Sequence, residues 1–176
     1  MPTPSRVRIA VHDDRAALME FVCTQPAKQS FGVPHPRPWE LVTQSAFREL
    51  RPPMRDGSQL YVLEEDGVIA GLCRTRPTDD GAVLIASIAV SHFARCEGRG
   101  AALLGEVLDE IQATRPGVDV IARIHSRNEP SRKLFRAFGF EYVEPFEGGG
   151  SLDVFGLVGP DVEEQDSTNG PSTRGW

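Results

Sequence analysis

Two glycines set two residues apart, with arginines on either side, are the residues of this sequence best suited to hold a charged ligand. They belong to the segment Arg95-Cys96-Glu97-Gly98-Arg99-Gly100-Ala101. Glycine lets the backbone curl closely around a ligand, and a helix that begins at about Arg99 points unbonded N–H groups and the positive end of its dipole at the same place. Arg95 and Arg99 add side-chain donors. The segment therefore predicts binding of a pyrophosphate group.

A strand-to-helix turn that uses glycine only for its geometry is also an open interpretation of these residues. Two other nucleotide-binding loops fit less well. The phosphate loop of nucleoside triphosphatases ends in Gly-Lys-Ser/Thr, which is absent here, and Leu103 stands where the dinucleotide fingerprint requires its third glycine. The segment by itself thus leaves a pyrophosphate loop and a structural turn as alternatives.

The hydrophobic pattern predicts a strand before this loop and a helix after it. Residues 82–90 are nearly all apolar, which is typical of a central strand covered on both faces of a sheet. After the loop, leucine, valine and isoleucine recur at helical spacing, which predicts a helix over about 99–114 that Arg115-Pro116-Gly117 ends.

A second strand and helix follow, and then two more strands. Residues 118–125 alternate as a strand does, and Pro130 opens a helix whose apolar stripe consists of Leu134, Phe135 and Phe138. Gly139 is expected as the left-handed cap of this helix, with the next phenylalanine packed beneath it. Residues 140–144 and 152–158, separated by three consecutive glycines, are predicted as the last strands.

Upstream of the loop, the predicted order is a strand, two helices and a hairpin. Asp13 or Asp14 is expected to cap the first helix, whose apolar face would consist of Ala17, Leu18, Phe21 and Val22. A proline-rich stretch over residues 24–38 fits a constrained loop. The remaining elements are a strand at 6–11, a helix at about 39–50, and strands at 59–64 and 68–75 joined by Asp66-Gly67.

This order places a run of antiparallel strands ahead of a β-α-β unit. A short hairpin joins antiparallel neighbours, whereas a helical crossover joins parallel ones. The sequence therefore predicts an α+β, or mixed α/β, fold with a central, mixed and mostly antiparallel sheet that carries helices on both faces.

Composition limits the class of protein. The 176 residues are 40% hydrophobic and 25% charged, which predicts one globular domain over residues 1–158. Residues 159–176 are acidic and rich in Gly, Pro, Ser and Thr, and they are expected to be a disordered tail. No apolar run is long enough for a membrane span and the start of the chain is polar, so a cytoplasmic protein is expected.

Charge argues against nucleic-acid binding, and cysteine content argues against a disulfide framework and a metal site. A net charge of −6 disfavours a nucleic-acid binder that relies on phosphate contacts. The three cysteines are odd in number, far apart and without the paired spacing of a zinc site, so neither a disulfide framework nor a metal site is predicted.

Two motifs in order make the sequence similar to the GNAT superfamily of N-acetyltransferases. Residues 95–100 match the acetyl-CoA motif Arg/Gln-x-x-Gly-x-Gly/Ala at every fixed position. A second family signature, Asn-x-x-Ser/Ala-x-x-Leu-Tyr-x-x-x-Gly-Phe, aligns with Asn128, Ser131, Leu134, Phe135, Gly139 and Phe140. The resemblance implies the acyl-CoA N-acyltransferase-like fold and acetyl-CoA as co-substrate.

The resemblance also implies which residues bind the co-substrate. The central strand would splay from its neighbour so that the pantetheine arm pairs with the backbone of Ile88, Ala89 and Val90. The pyrophosphate would bind the amides of residues 96–101, that is Cys96, Glu97, Gly98, Arg99, Gly100 and Ala101, beside Arg95. The thioester end would be lined by Asn128, Ser131 and the face near Phe135. Asn128 is equally suited to cap the helix that follows, and both roles are compatible.

The groups that usually handle protons in this superfamily are absent. The tyrosine that meets the departing sulfur is replaced by Phe135, whose ring has no proton to donate. Leu84 and Ala86 stand where a carboxylate or histidine is often found on the central strand, and Arg123 stands where a glutamate is often found. The base is therefore unknown.

Other polar residues are candidates for catalysis and for acceptor binding. His125 ends the strand before Asn128 and is a weak candidate for the base, although a capping or surface histidine remains open. In the proline-rich stretch, where the superfamily builds its acceptor wall, His35, Trp39 and Glu40 are candidate substrate contacts.

Three functions remain open on these residues. The first is direct transfer of an acetyl group from acetyl-CoA to a primary amine of a small molecule or peptide in a ternary complex. The alternative is a non-catalytic domain that senses acyl-CoA or binds a partner. The third is transfer of a longer acyl chain, because Ala86 leaves room beside the thioester. The resemblance also implies a homodimer that pairs its last strands.

Overall fold

A computed structural model describes residues 5–24, 38–94 and 97–159, which form a sheet with helices on both faces. Short 3-10 turns precede α1 and follow β4. In chain order the elements are β1 (Arg6–Ile9), α1 (Arg15–Glu20), α2 (Pro38–Glu49), β2 (Gln59–Glu65), β3 (Val68–Pro77), β4 (Val83–Val90), α3 (Arg99–Thr114), β5 (Val120–His125), α4 (Glu129–Ala137), β6 (Glu141–Pro145) and β7 (Leu152–Leu157).

The described strands form one seven-stranded sheet in the order β1-β2-β3-β4-β5-β7-β6. Neighbouring strands are antiparallel, except that β4 and β5 are parallel. The parallel pair is the β4-α3-β5 unit, in which a helix supplies the crossover. The predicted α+β fold with a mixed, mostly antiparallel sheet is confirmed.

Each face of the sheet buries its own apolar cluster. One cluster packs α1 and α2 against the sheet and includes Leu18, Phe47 and Leu72. The other packs α3 and α4 against the opposite face and includes Leu103, Leu104, Val107, Leu108, Ile111, Phe135 and Phe140. The α3 residues of this second set recur at helical spacing, so one stripe of the helix is buried as the pattern predicts.

Gly71 in β3 allows α3 to approach the sheet closely. A Cβ atom at this position would lie 3.1 Å from Leu103 Cδ2 and 3.4 Å from the Ala89 carbonyl oxygen. The first spacing is tighter than an ordinary van der Waals contact, so a side chain here would require Leu103 of α3 to shift. The strand glycine therefore reflects a close approach between layers.

α4 ends in the left-handed glycine cap that the sequence predicts. Gly139 has φ +86°, and its N–H donates to the Arg136 carbonyl while the N–H of Phe140 donates to the Phe135 carbonyl. These two bonds are the Schellman arrangement. The rings of Phe135 and Phe140 meet edge to face with centroids 5.0 Å apart.

Three expectations about local structure are corrected. The first helix ends at Glu20, so Phe21 follows it in extended backbone instead of lying on its face. Asp14 makes no side-chain cap to α1, because its carboxylate accepts the Val11 N–H instead. In β4, burial covers Val83 to Ile85 but not the later residues, so the strand is not covered on both faces throughout.

Other predictions concern the chain as a whole. No helix of the described residues is long and apolar enough to cross a membrane. The structure places no three metal-ligating side chains together within the residues that it describes. Cys73 is buried, and burial raises its pKa to about 12. The predicted tail lies almost wholly outside the described residues, which end at Gly159.

Replacing Asp14 tests the ion pair that joins β1 to α1. Asp14 accepts two bonds of 2.8 Å from Arg8 and one of 2.7 Å from the Val11 N–H, and these hold its pKa below the usual 3.8. A lowered pKa contributes stability that is present above about pH 4 and lost as the pH falls through the folded-state pKa.

We therefore expect Asp14→Asn to reduce the free energy of unfolding by about 2 kcal/mol at pH 7. The difference from wild type should shrink as the pH falls below about 4. Urea unfolding at several pH values measures both quantities. A difference that stays constant down to about pH 2 would contradict the assignment.

Candidate active site

β4 separates from β5 halfway along its length, and the gap between them is here called the wedge. β4 pairs with β3 from Val83 to Val90, but it pairs with β5 only from Val83 to Ile85. The register against β3 shifts at the same point, since Arg74 lies opposite Ser87 and the next β3 residue lies opposite Ile85. Ala86 is therefore the extra residue of a β-bulge, and a bulge bends its strand away from a neighbour.

The wedge exposes a free backbone edge on β4. Past Ala86, no described strand pairs with the side of β4 that faces β5, so N–H and C=O groups along residues 86–90 lack a ladder there. An unpaired strand edge is a template for an extended ligand. Ile88, Ala89 and Val90, which the resemblance assigns to the pantetheine arm, lie on this edge and are half-buried.

The N-terminus of α3 lies next to the wedge and has no side-chain cap. Its N-cap residue is Gly98, with φ +77°, and the first helical bond runs from the Ala102 N–H to the Gly98 carbonyl at 3.0 Å. The N–H groups of Arg99, Gly100 and Ala101 precede that bond, so the helix supplies them no acceptor. They and the helix dipole suit a phosphate group.

The two glycines of the loop serve different purposes. A Cβ atom on Gly98 would meet nothing within 4 Å, so there is open space in front of this residue. A Cβ atom on Gly100 would lie 3.6 Å from Leu134 Cδ2 and 3.7 Å from Val90 Cγ2. Gly98 thus gives a backbone conformation and an open approach, while Gly100 lies packed between α4 and β4. A pyrophosphate fits this arrangement.

Arg99 has a side-chain environment different from the predicted one. Its Nε donates to Glu65 Oε2 at 2.6 Å, and its Nη1 donates to the Glu97 carboxylate and to the Ala94 carbonyl at 3.4 Å. The two carboxylates raise the pKa of the guanidinium. The Arg99 side chain therefore ties the loop to the β2–β3 hairpin, and its contact with a phosphate stays a prediction. Arg95 and Cys96 lie outside the described residues.

Of the three residues predicted at the thioester end, two lie at the start of α4 and one lies in the core. Asn128 is the N-cap of α4, and its side-chain oxygen accepts the Ser131 N–H at 3.4 Å. Both residues are half-buried and lie at the start of the helix. Phe135, in contrast, is only 2% exposed and belongs to the core on the α3 face. This burial takes the Phe135 ring away from an open surface, and its contribution to the thioester end stays a prediction.

The three residues that stand in place of the superfamily's usual base differ in their exposure. Leu84 is 3% exposed, and Ala86 is exposed at the bulge. Arg123 is exposed on β5, and its guanidinium carbon lies 3.9 Å from the ring centroid of Phe146 in the β6–β7 connection. The side chains at these three positions offer no proton acceptor.

His125 is held by a backbone hydrogen bond and an aromatic contact. Its Nδ1 accepts the Arg127 N–H at 3.1 Å, and its ring lies 4.8 Å from the ring of Trp39 in α2. A neutral imidazole that accepts at Nδ1 carries its hydrogen on Nε2. His125 could take a proton from the acceptor only by giving up the Arg127 bond. The geometry favours a structural role over a general base.

The candidate acceptor contacts lie on α2 or just before it. Trp39 is half-buried against His125, so α2 reaches the end of β5. Glu40 is 8% exposed and therefore offers little surface to a substrate. His35 lies outside the described residues.

Sequence reasoning did not identify the bulge at Ala86, the Arg99–Glu65 ion pair or the contact between Arg123 and Phe146. The Asp66-Gly67 turn was a usable signal for Glu65, since it places this residue at the hairpin end. A cavity of about 750 Å³ lies elsewhere, between the end of α2 and residues 51–56, and its lining includes none of the predicted site residues.

Comparison with known proteins places these features in a family. Residues 23–140 match the family model described as the acetyltransferase (GNAT) family. No curated protein matches the chain.

Many solved structures share the fold. The ribosomal-protein-S18-alanine N-acetyltransferase of Escherichia coli is 19% identical, with 92% of this chain and 98% of that chain covered and a TM-score of 0.64. The PaiA N-acetyltransferase of Thermoplasma acidophilum, solved with coenzyme A, is 12% identical over 89% and 99%, with a TM-score of 0.67. The ribosomal-protein-alanine N-acetyltransferase of Brucella melitensis is 25% identical over 87% and 99%, with a TM-score of 0.61.

Replacing Gly98 tests the phosphate-binding loop. We expect Gly98→Val to weaken coenzyme A binding at least about tenfold, because the side chain enters the open space in front of the α3 N–H groups. Gly81 offers a matched control, since it has φ +90° and nothing within 4 Å of an added Cβ atom, and it lies at the other end of β4. Both variants carry a strain of about 1–2 kcal/mol. Calorimetric titration with coenzyme A measures the effect, and equal losses in both variants would count against the loop.

Replacing His125 separates a base from a structural residue. A general base contributes about 10²- to 10⁴-fold to the rate. We expect His125→Asn, whose side-chain oxygen can accept the Arg127 N–H, to lower kcat less than about tenfold and to leave the pH profile unchanged. His125→Ala should lower the melting temperature further. Loss of the acidic limb of the pH profile in the asparagine variant would show that His125 is the base.

Proposed function

The chain belongs to the GNAT acetyltransferase family, and from this membership we propose that it transfers the acetyl group of acetyl-CoA directly to a primary amine of a small molecule or peptide in a ternary complex. The chain is an acyltransferase, and acetyl-CoA is its co-substrate. The proposal concerns the kind of acceptor and the order of the chemical steps.

The wedge is the observation that carries the proposal. It opens at Ala86, beside the uncapped N-terminus of α3, so N–H groups suited to a phosphate lie next to a free strand edge. The opposite face of the sheet at this point carries α2, whose Trp39 reaches His125. Two reactants can therefore approach one gap in the sheet from different sides, which is what direct transfer requires.

The backbone of β4 is the source of electrophilic assistance. Acetyl-CoA supplies an activated acetyl group, and its carbonyl oxygen gains negative charge when an amine attacks. Backbone N–H groups on the open edge beyond Ala86 are donors that no described strand uses. Fixed donors of this kind stabilise a developing oxyanion without reorganisation.

Proton transfer is assigned to water. The amine must lose a proton before or during attack, and the thiolate must gain one. Leu84, Ala86, Arg123 and Phe135 cannot accept a proton, and His125 already accepts the Arg127 N–H. Water in the exposed wedge serves both steps in this proposal.

The burial of the two described cysteines agrees with direct transfer. Cys23 and Cys73 are buried, and the pKa of Cys73 is raised to about 12, so neither side chain suits a nucleophile. An acetyl-cysteine intermediate on these residues is not proposed.

Initial-rate kinetics test the proposal. With a thiol-release assay and a panel of amines, we expect turnover, intersecting double-reciprocal lines, and no acetylated protein by intact mass after incubation with acetyl-CoA alone. Gly98→Val should lose activity, while Gly81→Val should keep it. Parallel lines with acetylated protein would overturn direct transfer. Tight coenzyme A binding without turnover on any amine would favour the non-catalytic alternative.

A further inference from the structure

Arg123 begins the part of β5 that has separated from β4, next to the wedge. The last residue pair between β4 and β5 is Ile85 with Ala122, so Arg123 is the first β5 residue beyond the point of separation. Ala122 and Ile124 are buried in the core on the α3 face. Because side chains alternate along a strand, Arg123 and His125 project from the opposite face, where α2 lies. The contact of His125 with Trp39 agrees with this placement.

The Arg123 guanidinium is exposed and has no carboxylate partner among the described residues. Arg8, Arg99 and Arg132, in contrast, each pair with at least one carboxylate. Arg123 instead lies over the ring of Phe146 at 3.9 Å. Such a contact holds the cation in place through its π face, while the N–H donors lie in the guanidinium plane.

The acidic residue that shares this face in register makes no ion pair with Arg123 in the described part of the chain. Arg123 lies opposite Val154 of β7, and Val154 lies opposite Glu144 of β6. Glu144 is therefore two strands away, which corresponds to about 10 Å. Arg74, on the same face of β3, already binds Asp56 and Ser58. Arg123 is thus a cation without an ion-pair partner among the described residues on this face of the sheet.

A fixed cation at this point selects among amines. A simple alkylamine is an ammonium ion near neutral pH and is repelled by a guanidinium close by. An amine that carries its own carboxylate is attracted instead, since a guanidinium binds a carboxylate through two parallel N–H···O bonds.

We propose that the acceptor is an amine with a carboxylate close to its amino group, and that Arg123 binds this carboxylate and so sets acceptor specificity. The inference rests on the proposed function, since it names the acceptor class of the same site. Free amino acids and peptides with an acidic residue next to the N-terminus share this chemistry.

Matched acceptor pairs test the inference. Each pair consists of an α-amino acid and the amine left by its decarboxylation, such as phenylalanine with phenethylamine and lysine with cadaverine. Dipeptides with an acidic or a neutral second residue form a third pair. Thiol release gives kcat/KM for each acceptor. Calorimetry gives the affinity of each acceptor for the protein saturated with coenzyme A, which does not depend on turnover.

We expect wild type to favour the carboxylate-bearing member of at least one pair by roughly 10- to 100-fold. Arg123→Gln should remove that preference, and Arg123→Glu should reverse it. Arg6→Gln makes the same chemical change at an exposed arginine on the edge strand β1, and it should behave as wild type. Coenzyme A affinity should be unchanged in all three variants. Whether amino acids or acidic dipeptides respond identifies the source of the carboxylate.

Each of the following outcomes would overturn the inference. Wild type could favour the decarboxylated member of every pair, Arg123→Gln could lower both members of a pair equally, or Arg6→Gln could match Arg123→Gln. Binding that depends on Arg123 without any turnover would support the carboxylate site and contradict the proposed acetyl transfer. Turnover without a preference for the carboxylate-bearing member would support acetyl transfer and contradict the carboxylate site, so the two proposals fail separately.

Discussion

The bulge at Ala86 is the constraint on which the rest of the site depends. β4 must keep its ladder with β3 to Val90, but an extra residue at Ala86 breaks the register and ends the pairing with β5 at Ile85. One inserted residue thereby produces the gap, the free edge and the diverging direction of β5. Arg123 and His125 face the acceptor side without a β4 partner for the same reason. The remaining strands support the sheet, so that it stays folded despite this local defect.

The rest of the sheet compensates for the missing ladder by packing. On the α3 face, the helix crosses close to β3 because Gly71 has no side chain, and its leucines belong to the buried cluster on that face. On the other face, α1 and α2 bury a separate cluster. The opening is confined to the end of the strand where α3 begins.

Much of this architecture could be predicted from the sequence, since it depends on local patterns. The α3 stripe, the Asp66-Gly67 turn and the Gly139 cap each follow from residue types at fixed spacing, and the structure has them. The bulge could not be predicted, because an unbroken apolar run has no period that an extra residue would interrupt. Phe135 was assigned to the site by its place in a motif, whereas its burial depends on Phe140 and the α3 layer. The contact of Arg123 with Phe146 joins residues far apart in the chain and depends on how a loop folds back.

The ion pair between Arg99 and Glu65 has a consequence for how the protein receives its co-substrate. It fastens the first turn of α3 to the hairpin, so the phosphate-binding amides are held in one arrangement. Binding then costs little conformational entropy, which is the benefit of preorganisation. The position of the amides predicted to bind the pyrophosphate thus depends on the β2–β3 hairpin as well as on the loop, although no hairpin side chain is among the predicted contacts. A substitution in that hairpin can therefore change the geometry of the loop without touching any of the predicted contacts.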